Sequence, residues 1–266
     1  MVTIYRILSK VFICFLLIFA GIQAGWAQNQ ATIGIVLLHG KDGLPSGHIA
    51  KLADALREKG YVVSTPTMPW AKGLIYSASY EDCLKLIKTE VYLLRAKGLK
   101  NIVVAGHSIG AHMALAYAGI DSDLAGIILL APGHYPETYA RKWKPVSDSV
   151  AEAKGLLAQS NDKRTYFNEI NNGEEITVLA KPADYLSFCD PDGSGQLSTA
   201  LNSFRHSLPV LLISECAPRL DPKTAIFDVL PPNGKSQFIK SLADHTEVPD
   251  ASITDVLKWL KTLAGS

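Results

Sequence analysis

The stretch Gly106-His107-Ser108-Ile109-Gly110 is the most informative part of this chain because of what lies on either side of it. An apolar, β-branched run at 101–105 precedes it, and a run with helical spacing at 111–117 follows. A strand that becomes a helix through Gly-x-Ser-x-Gly turns so tightly that a side chain at either glycine would clash with a neighbouring element. The sequence therefore predicts a strained turn that holds the Ser108 hydroxyl exposed at its tip, with the following backbone N–H groups free.

Strand and helix patterns alternate along the rest of the chain. Continuous apolar runs of strand length, each followed by helical spacing, are typical of a parallel sheet that helices cover on both faces. We therefore expect a three-layer α/β/α sandwich with a mostly parallel sheet, which binds ligands beyond the carboxyl ends of its strands. Besides 101–105, the predicted strands are 32–38, 61–65, 125–130, 208–213 and a weaker edge strand at 235–241. The predicted helices include 49–56, 80–97 and a closing helix at about 253–263.

The stretch from about residue 133 to residue 195 interrupts this alternation. It contains weak helical patterns, for example near 150–157, together with polar loops rich in proline and glycine. We interpret 133–195 as a small cap insertion over the carboxyl edge of the sheet, where ligands bind in such folds. The alternative is an ordinary surface excursion.

The first 27 residues are typical of a cleaved secretory signal. Arg6 and Lys10 precede a short apolar run at 11–20, and Ala24-Gly-Trp-Ala27 places small residues where a signal peptidase reads them. The apolar run is shorter than the roughly 20 residues needed to span a bilayer, although an uncleaved anchor is the alternative. We therefore predict a signal peptide at 1–27, one folded domain at 28–266, a secreted or periplasmic location and no stable membrane insertion after cleavage.

Composition and charge exclude several classes of function. The chain has 266 residues, 48% of them hydrophobic, and a formal net charge of +1. These values suit one domain with a large core and provide no basic surface excess for binding nucleic acid. The sequence also contains no metal-ligand spacing, P-loop or dinucleotide fingerprint, so we expect no metal and no cofactor.

Three cysteines follow the predicted signal, so at most one disulfide can form among them. Cys83 lies on the apolar stripe of the predicted helix at 80–97 and is expected to be a buried free thiol. Cys189 and Cys216 both fall in predicted loops at one end of the sheet, which makes them the better pair. Three free thiols are the alternative.

Two further segments follow predicted strands and carry groups that suit acyl transfer. His39-Gly40-Lys41 comes directly after the first strand, and Asp244-His245 comes after the last one. Together with the Gly-x-Ser-x-Gly turn, these segments resemble the α/β-hydrolase family over residues 32–263. The resemblance implies a compact, secreted member that is similar to serine esterases and lipases.

The resemblance also assigns roles to individual residues. It implies that Ser108 is the nucleophile and that the backbone N–H groups of Lys41 and Ile109 form the oxyanion hole. The loop at 39–43, which carries Lys41, is called the oxyanion loop here. His39 is expected to brace this loop rather than to act as a base.

A histidine after the last strand is the expected general base, because imidazole can take up and return a proton near pH 7. His245 fits that position. His134 and His206 are the competitors, of which His134 is expected to line the pocket and His206 to lie on a surface helix. His107 and His112 flank the serine and are expected within the packing of the turn and the following helix.

The acid that should orient this histidine departs from the family pattern. In that pattern it follows the preceding strand as strand-Gly-x-x-Asp-Pro, and if Pro218 matches the proline, the acid position holds Ala217. We rank Asp221 first, because it lies in the same loop, although it could instead cap a helix. Glu215, at the strand end, ranks second. Glu137, Asp190 or a Ser–His dyad without an acid remain open.

The expected reaction is hydrolysis of a carboxylic ester or thioester through an acyl-serine intermediate, with a small-molecule acyl substrate. Trp70, after the second strand, and His134 are candidate pocket walls, although core packing is an equal alternative for Trp70. A non-catalytic, hydrolase-like protein that binds a ligand or an envelope partner is the second hypothesis, and the missing acid supports it.

Overall fold

A six-stranded parallel sheet forms the centre of the computed structural model, which describes residues 33–264. The predicted signal peptide at 1–27 lies outside the described residues. Along the sheet the strand order is β2-β1-β3-β4-β7-β8, and β5 pairs with β6 in a separate antiparallel hairpin. The strands are β1 (Ile33–Leu38), β2 (Val62–Ser64), β3 (Asn101–His107), β4 (Gly126–Leu130), β5 (Thr165–Asn171), β6 (Glu174–Ala180), β7 (Val210–Ser214) and β8 (Gln237–Lys240).

Ten α-helices surround the sheet and the hairpin within the described residues. None of these helices has both the length and the apolar character that crossing a membrane requires. They are α1 (Ala50–Glu58), α2 (Tyr80–Ala96), α3 (Ile109–Ala118), α4 (Pro136–Lys142), α5 (Lys144–Ala158), α6 (Pro182–Cys189), α7 (Leu197–Ser203), α8 (Pro222–Ala225), α9 (Val248–Ala251) and α10 (Ile253–Ala264).

Alternate side chains of the central strands enter two separate cores. Ile35 packs with buried residues of α1 and α10, whereas its neighbour Val36 packs with those of α2 and α3. Residues of a strand point alternately to the two faces of a sheet, so burial on both faces requires the continuous apolar runs seen in the sequence. The predicted three-layer α/β/α sandwich is confirmed.

The strands are in a register that aligns their carboxyl ends. Leu38 lies opposite Gly106, His107 opposite Leu130, and Leu130 in turn opposite Ile213. The loops after β1, β3, β4 and β7 therefore emerge at one edge of the sheet, where open α/β sheets bind ligands.

The segment between β4 and β7 holds α4 to α7 and the β5–β6 hairpin. The hairpin differs from the weak helices and loops expected there. Its turn is Asn172-Gly173, with φ of 48° and 86°, as a two-residue type I′ turn requires. The Asn-Gly pair between two β-forming stretches is the sequence signal for this hairpin, and sequence reasoning missed it.

The preferred disulfide pairing is wrong, because Cys83, Cys189 and Cys216 are all free thiols. Cys189 is buried at the end of α6, where its thiol donates to Glu169. Cys216 lies after β7 and donates to Asp244. The prediction placed both cysteines in loops at one end of the sheet, but Cys189 is instead the buried last residue of α6.

Candidate active site

The turn at Ser108 is fixed by contact of backbone on backbone. A Cβ at Gly106 would lie 2.1 Å from the carbonyl oxygen of Gly110, and a Cβ at Gly110 would lie 2.6 Å from that of Leu38. Ser108 has a φ of 57°, which is strained for a residue with a side chain. Its N–H donates to Leu130 O at 3.0 Å, so the strained turn is held by the neighbouring strand.

Glu215 is the carboxylate that contacts His245. It is the first residue after β7, and its Oε2 accepts a hydrogen bond from His245 Nδ1. The two side chains are 13% and 22% exposed. Because Nδ1 carries the donated proton, Nε2 of the neutral ring is free to accept a proton. This arrangement orients the imidazole in the way that a triad acid does.

The loops that carry these two residues are tied together by their backbones. Ser241 N–H donates to Ser214 O at 2.9 Å, and Cys216 N–H donates to Ala243 O at 3.1 Å. The side-chain contact between the acid and the histidine therefore rests on a continuation of the β7–β8 pairing.

Ser108 and His245 meet beside Gly133. A Cβ at Gly133 would lie 2.9 Å from Ser108 Oγ, 3.0 Å from His245 Cε1 and 3.5 Å from His245 Nε2. Within residues 33–264 the serine hydroxyl makes no hydrogen bond, and catalytic hydrogen bonds often tighten only when substrate is bound. The absence of a side chain at Gly133 leaves the space between hydroxyl and imidazole open.

Asp221, ranked first as the acid, lies elsewhere. It is the N-cap of α8 and accepts from Lys223 N–H at 3.1 Å and from the Thr224 hydroxyl at 2.9 Å. These donors, the Thr224 hydroxyl first, lower the pKa of its exposed carboxyl. The ranking is corrected because Asp221 caps α8, whereas Glu215 at the end of β7 contacts His245. Proximity in sequence to the expected acid position did not give contact with the histidine.

The remaining carboxylates are also engaged away from His245. Asp190 pairs with Lys154 at 2.9 Å. Glu137 lies in the first turn of α4, where burial raises the pKa of its carboxyl. Among the acids considered from sequence, only Glu215 reaches the imidazole.

The loop after β1 packs against the serine turn. A Cβ at Gly40 would lie 3.0 Å from His107 Nδ1 and 3.3 Å from Ser108 Cβ. The Lys41 side chain is only 5% exposed although the residue as a whole is partly exposed, so its accessible atoms are mainly backbone. Ile109 begins α3, and a first-turn N–H has no acceptor within its own helix. Lys41 and Ile109, whose N–H groups are expected to form the oxyanion hole, thus lie beside the serine.

The two residues expected as pocket walls are buried. Trp70 is fully buried, and its indole N–H donates to His39 O at 2.9 Å. His134 is 1% exposed, and its Nε2 donates to Phe188 O at 3.0 Å. The pocket role expected for His134 is corrected, because its ring is buried against Phe188. For Trp70 the structure shows the alternative, core packing. His206 was expected on a surface helix, but it lies in the loop after α7, partly buried and stacked on Phe204.

His39 braces the oxyanion loop, as expected. Its Nδ1 donates to Gly40 O at 2.8 Å, and its Nε2 accepts from Met68 N–H at 3.1 Å. Burial lowers the pKa of this imidazole despite the bond to Gly40. A neutral ring with one donor and one acceptor nitrogen is the form that satisfies both partners.

His107 links the serine turn to the histidine loop. Its Nε2 donates to the backbone oxygen of His245 at 2.8 Å. Burial, followed by the neighbouring His245, lowers the pKa of His107 to about 3. Burial likewise lowers the pKa of His134 to about 3 and that of His112 well below its usual value. These three imidazoles are neutral at neutral pH.

Two cavities reach the serine and the histidine. One, of about 270 Å³, extends past Tyr135 and Tyr139, and the other, of about 190 Å³, extends along the oxyanion loop. Ser108, His245 and Asn172 line both cavities. The tip of the β5–β6 hairpin therefore lies between two chambers that meet at the serine.

Comparison with known proteins agrees with the fold. The model of the alpha/beta hydrolase family matches residues 35–252, most of the chain. No curated protein matches the sequence.

Solved structures share the fold at low sequence identity. The monoacylglycerol lipase of Paleococcus ferrophilus is 20% identical, with a TM-score of 0.63, over 86% of this chain and 94% of that chain. A monoglyceride lipase variant from Saccharomyces cerevisiae is 16% identical, with a TM-score of 0.60, over 88% of each chain. Est1E from Butyrivibrio proteoclasticus with bound ferulic acid is 16% identical, with a TM-score of 0.57, over 87% of this chain and 91% of that chain.

Proposed function

Since the chain belongs to the alpha/beta hydrolase family, we propose that it is a serine hydrolase that cleaves a small carboxylic ester through an acyl-serine intermediate. The observation that carries the proposal is the hydrogen bond from His245 to Glu215 beside the strained Ser108 turn. A nucleophile, a base and a group that orients the base are the minimum set for this chemistry.

The proposed reaction begins with attack of Ser108 Oγ on the ester carbonyl while His245 Nε2 takes the hydroxyl proton. Glu215 stabilises the imidazolium that forms. The backbone N–H groups of Lys41 and Ile109, with the positive end of the α3 dipole, stabilise the oxyanion. His245 then protonates the departing alcohol, and a water activated by His245 releases the acid and frees Ser108.

The two chambers support a short substrate with an acyl group on one side of the serine and an alcohol on the other. Each is smaller than the roughly 300–1,000 Å³ typical of sites for drug-sized ligands, which disfavours long acyl chains. A short thioester would use the same residues. The solved relatives include monoacylglycerol lipases and an enzyme with bound ferulic acid, so short aromatic and aliphatic esters belong in the first substrate screen.

The non-catalytic alternative depended on the missing acid. Because Glu215 contacts His245, the missing acid no longer supports that alternative.

The experiment that tests the proposal is the intact mass of the purified, exported protein after exposure to a fluorophosphonate. We expect one adduct per chain, because only an activated serine reacts readily, and no adduct in Ser108→Ala. The same mass reports whether residues 1–27 have been removed, as the sequence predicts. An unlabelled wild-type chain that also fails to hydrolyse any short ester would overturn the proposed function.

A pair of variants identifies the acid. Glu215→Gln keeps the shape of the side chain but not its charge, so we expect kcat to fall by about 100-fold or more because the imidazolium loses its counter-charge. Asp221→Asn is the matched control, for which we expect unchanged kcat and a stability loss of at most about 1 kcal/mol from the weakened cap. The opposite ranking of the two variants would restore Asp221 as the acid.

A further inference from the structure

A buried ion pair joins the oxyanion loop to the β5–β6 hairpin. Lys41 Nζ lies 3.2 Å from Glu169 Oε2, and the two side chains are 5% and 1% exposed. Lys41 Nζ also donates to Ile170 O at 3.0 Å. The pair lies outside the proposed triad, and the proposed reaction uses only the backbone of Lys41.

The other polar contacts of Glu169 are all to buried groups. Tyr76 OH donates to Oε2 at 2.6 Å, and the thiol of Cys189 donates to the same oxygen at 2.9 Å. Oε1 accepts from the N–H of Ile170 at 2.8 Å. Burial opposes ionisation of this carboxyl, but Lys41 and these donors outweigh burial and hold its pKa below its usual value.

A pair of this kind is a costly way to join two elements. Removing two charges from water costs several kcal/mol per ion, and apolar residues of similar size often stabilise a protein as well or better. What an ion pair adds to apolar packing is a fixed geometry, since the ammonium must meet the carboxylate and a backbone carbonyl at set positions. Lys41 therefore has one defined side-chain position.

That position determines where the Lys41 backbone lies. The side chain runs inward to the hairpin while the backbone faces the chamber beside Ser108. At the hairpin turn, a few residues beyond Glu169, the Arg219 guanidinium lies 1.7 Å from where a Cβ of Gly173 would be placed. The tip half of the hairpin thus contacts both the oxyanion loop, through Lys41, and the loop that carries Glu215, through Arg219.

We propose that Glu169 is a positioning residue, which holds the oxyanion N–H of Lys41 in place by anchoring the Lys41 side chain in the cap. This proposal rests on the proposed function. The hairpin and the oxyanion loop then behave as one unit, so that the cap sets the geometry of the oxyanion hole as well as the walls of the substrate chambers.

The test compares Glu169→Gln with Glu175→Gln, an exposed position on the same hairpin, in the same purified protein that is used for the fluorophosphonate experiment. For Glu169→Gln we expect kcat on a short ester to fall by about 10- to 100-fold, because small displacements of an oxyanion donor are costly. The KM should change by less than about threefold, since ground-state contacts persist. The rate of labelling by a fluorophosphonate should fall in parallel with kcat. Glu175→Gln should match the wild type in all three values.

A second readout reports the coupling without turnover. Hydrogen exchange by mass spectrometry should show faster exchange of the backbone amides at 40–43 in Glu169→Gln, together with those at 169–173, and no change in Glu175→Gln. If Glu169→Gln does not fold, the double variant Lys41→Met/Glu169→Gln leaves no unpaired charge. That variant should fold and still show the loss of kcat and the faster exchange.

The outcomes separate the two proposals. A wild-type chain that labels and turns over, with a folded Glu169→Gln variant of unchanged kcat and unchanged exchange at 40–43, would overturn the positioning role alone. A variant that loses stability but keeps kcat would also overturn it, because its role would then be structural only. A wild-type chain that neither labels nor hydrolyses an ester would overturn the proposed function and the positioning role together.

Discussion

The serine turn and the tip of the β5–β6 hairpin both line the chambers at Ser108, but different contacts hold them in place. In the serine turn, backbone meets backbone, as the 2.1 Å separation between a Gly106 Cβ and Gly110 O illustrates. The hairpin tip instead meets the far end of a flexible side chain, that of Arg219 at Gly173, and the Lys41–Glu169 ion pair anchors the strand just before the turn.

This difference predicts which of the two regions tolerates substitution. Packed backbone cannot yield without moving a strand, so the serine turn tolerates no added side chain. Side-chain contacts can be exchanged by substitution without disturbing the sheet. We infer that the positions of Ser108, Glu215 and His245 are set by the sheet, and that the hairpin turn, beyond the Lys41–Glu169 pair, is where the substrate chambers can be adapted.

The largest expected effect comes from adding one methyl group to the serine turn. Gly106→Ala should leave no folded, fluorophosphonate-reactive protein, because the new Cβ would overlap Gly110 O and relief requires moving α3 away from the sheet. We expect a cost above about 5 kcal/mol, comparable to the whole stability of many domains. Circular dichroism and labelling of the purified chain would measure it.

The control is the same substitution in the cap. A Cβ at Gly155, within α5, would meet nothing within 4 Å. Gly155→Ala should therefore raise the free energy of unfolding by about 0.5–1 kcal/mol through the better helix propensity of alanine. If Gly106→Ala folded as well as Gly155→Ala, the contrast between the two regions would not hold.

An intermediate effect on the free energy of unfolding is expected when the pH is lowered, because buried histidines lie in the serine turn and where it meets the cap. His107 belongs to the serine turn, and the His112 ring on α3 lies 5.1 Å from that of His134 at the start of the cap. All three pKa values are lowered by burial. As pH falls below about 6.5, the unfolded chain binds protons at these histidines and the folded chain does not, so stability falls.

The expected slope is about 1.4 kcal/mol per pH unit for each histidine, or roughly 4 kcal/mol per unit for the three together, between about pH 6 and pH 4. Above about pH 7 these residues should contribute no pH dependence. Urea unfolding at a series of pH values measures the slope, and His134→Gln should reduce it by about 1.4 kcal/mol per pH unit. A flat stability curve from pH 7 to pH 4 would contradict the prediction.

Sequence reasoning predicted the parts of the molecule that packing fixes and missed those that loop paths decide. The central strands are continuous apolar runs, and Gly106 and Gly110 have steric reasons to be glycine. The strands and the serine turn could therefore be predicted from the sequence. The ranking of Asp221 over Glu215 failed because spacing along a loop does not record its direction. The burial of Trp70 and Cys189 likewise depends on the path of the chain, which spacing in the sequence does not record.

The Asn172-Gly173 turn could have been predicted from the sequence but was missed. An Asn-Gly pair between β-forming stretches is a strong hairpin signal, and it was hidden by the polar composition of the cap. The Lys41–Glu169 pair had no such signal. The two residues are far apart in the sequence, and their contact depends on how the cap folds back over the sheet.

The smallest expected effect, and the sharpest test of the contrast, is the equivalent substitution at the hairpin tip. Gly173→Ala places a methyl group where the Arg219 guanidinium lies, at a φ of 86°. Arg219 can swing aside, so the cost should be mainly the positive φ, about 1–2 kcal/mol. We expect a folded, labelled protein with kcat close to that of the wild type and a KM shifted by less than about tenfold.

Gly173→Asn separates the two causes, because asparagine adds the same Cβ but tolerates positive φ. It should recover most of the stability lost in Gly173→Ala while keeping the altered KM, since Arg219 lines the larger chamber and is displaced in both variants. Urea unfolding and steady-state kinetics on a series of short esters would show this separation. If both variants lost folding as Gly106→Ala should, the hairpin would be as rigidly built as the serine turn, and substrate adaptation would have to lie elsewhere in the cap.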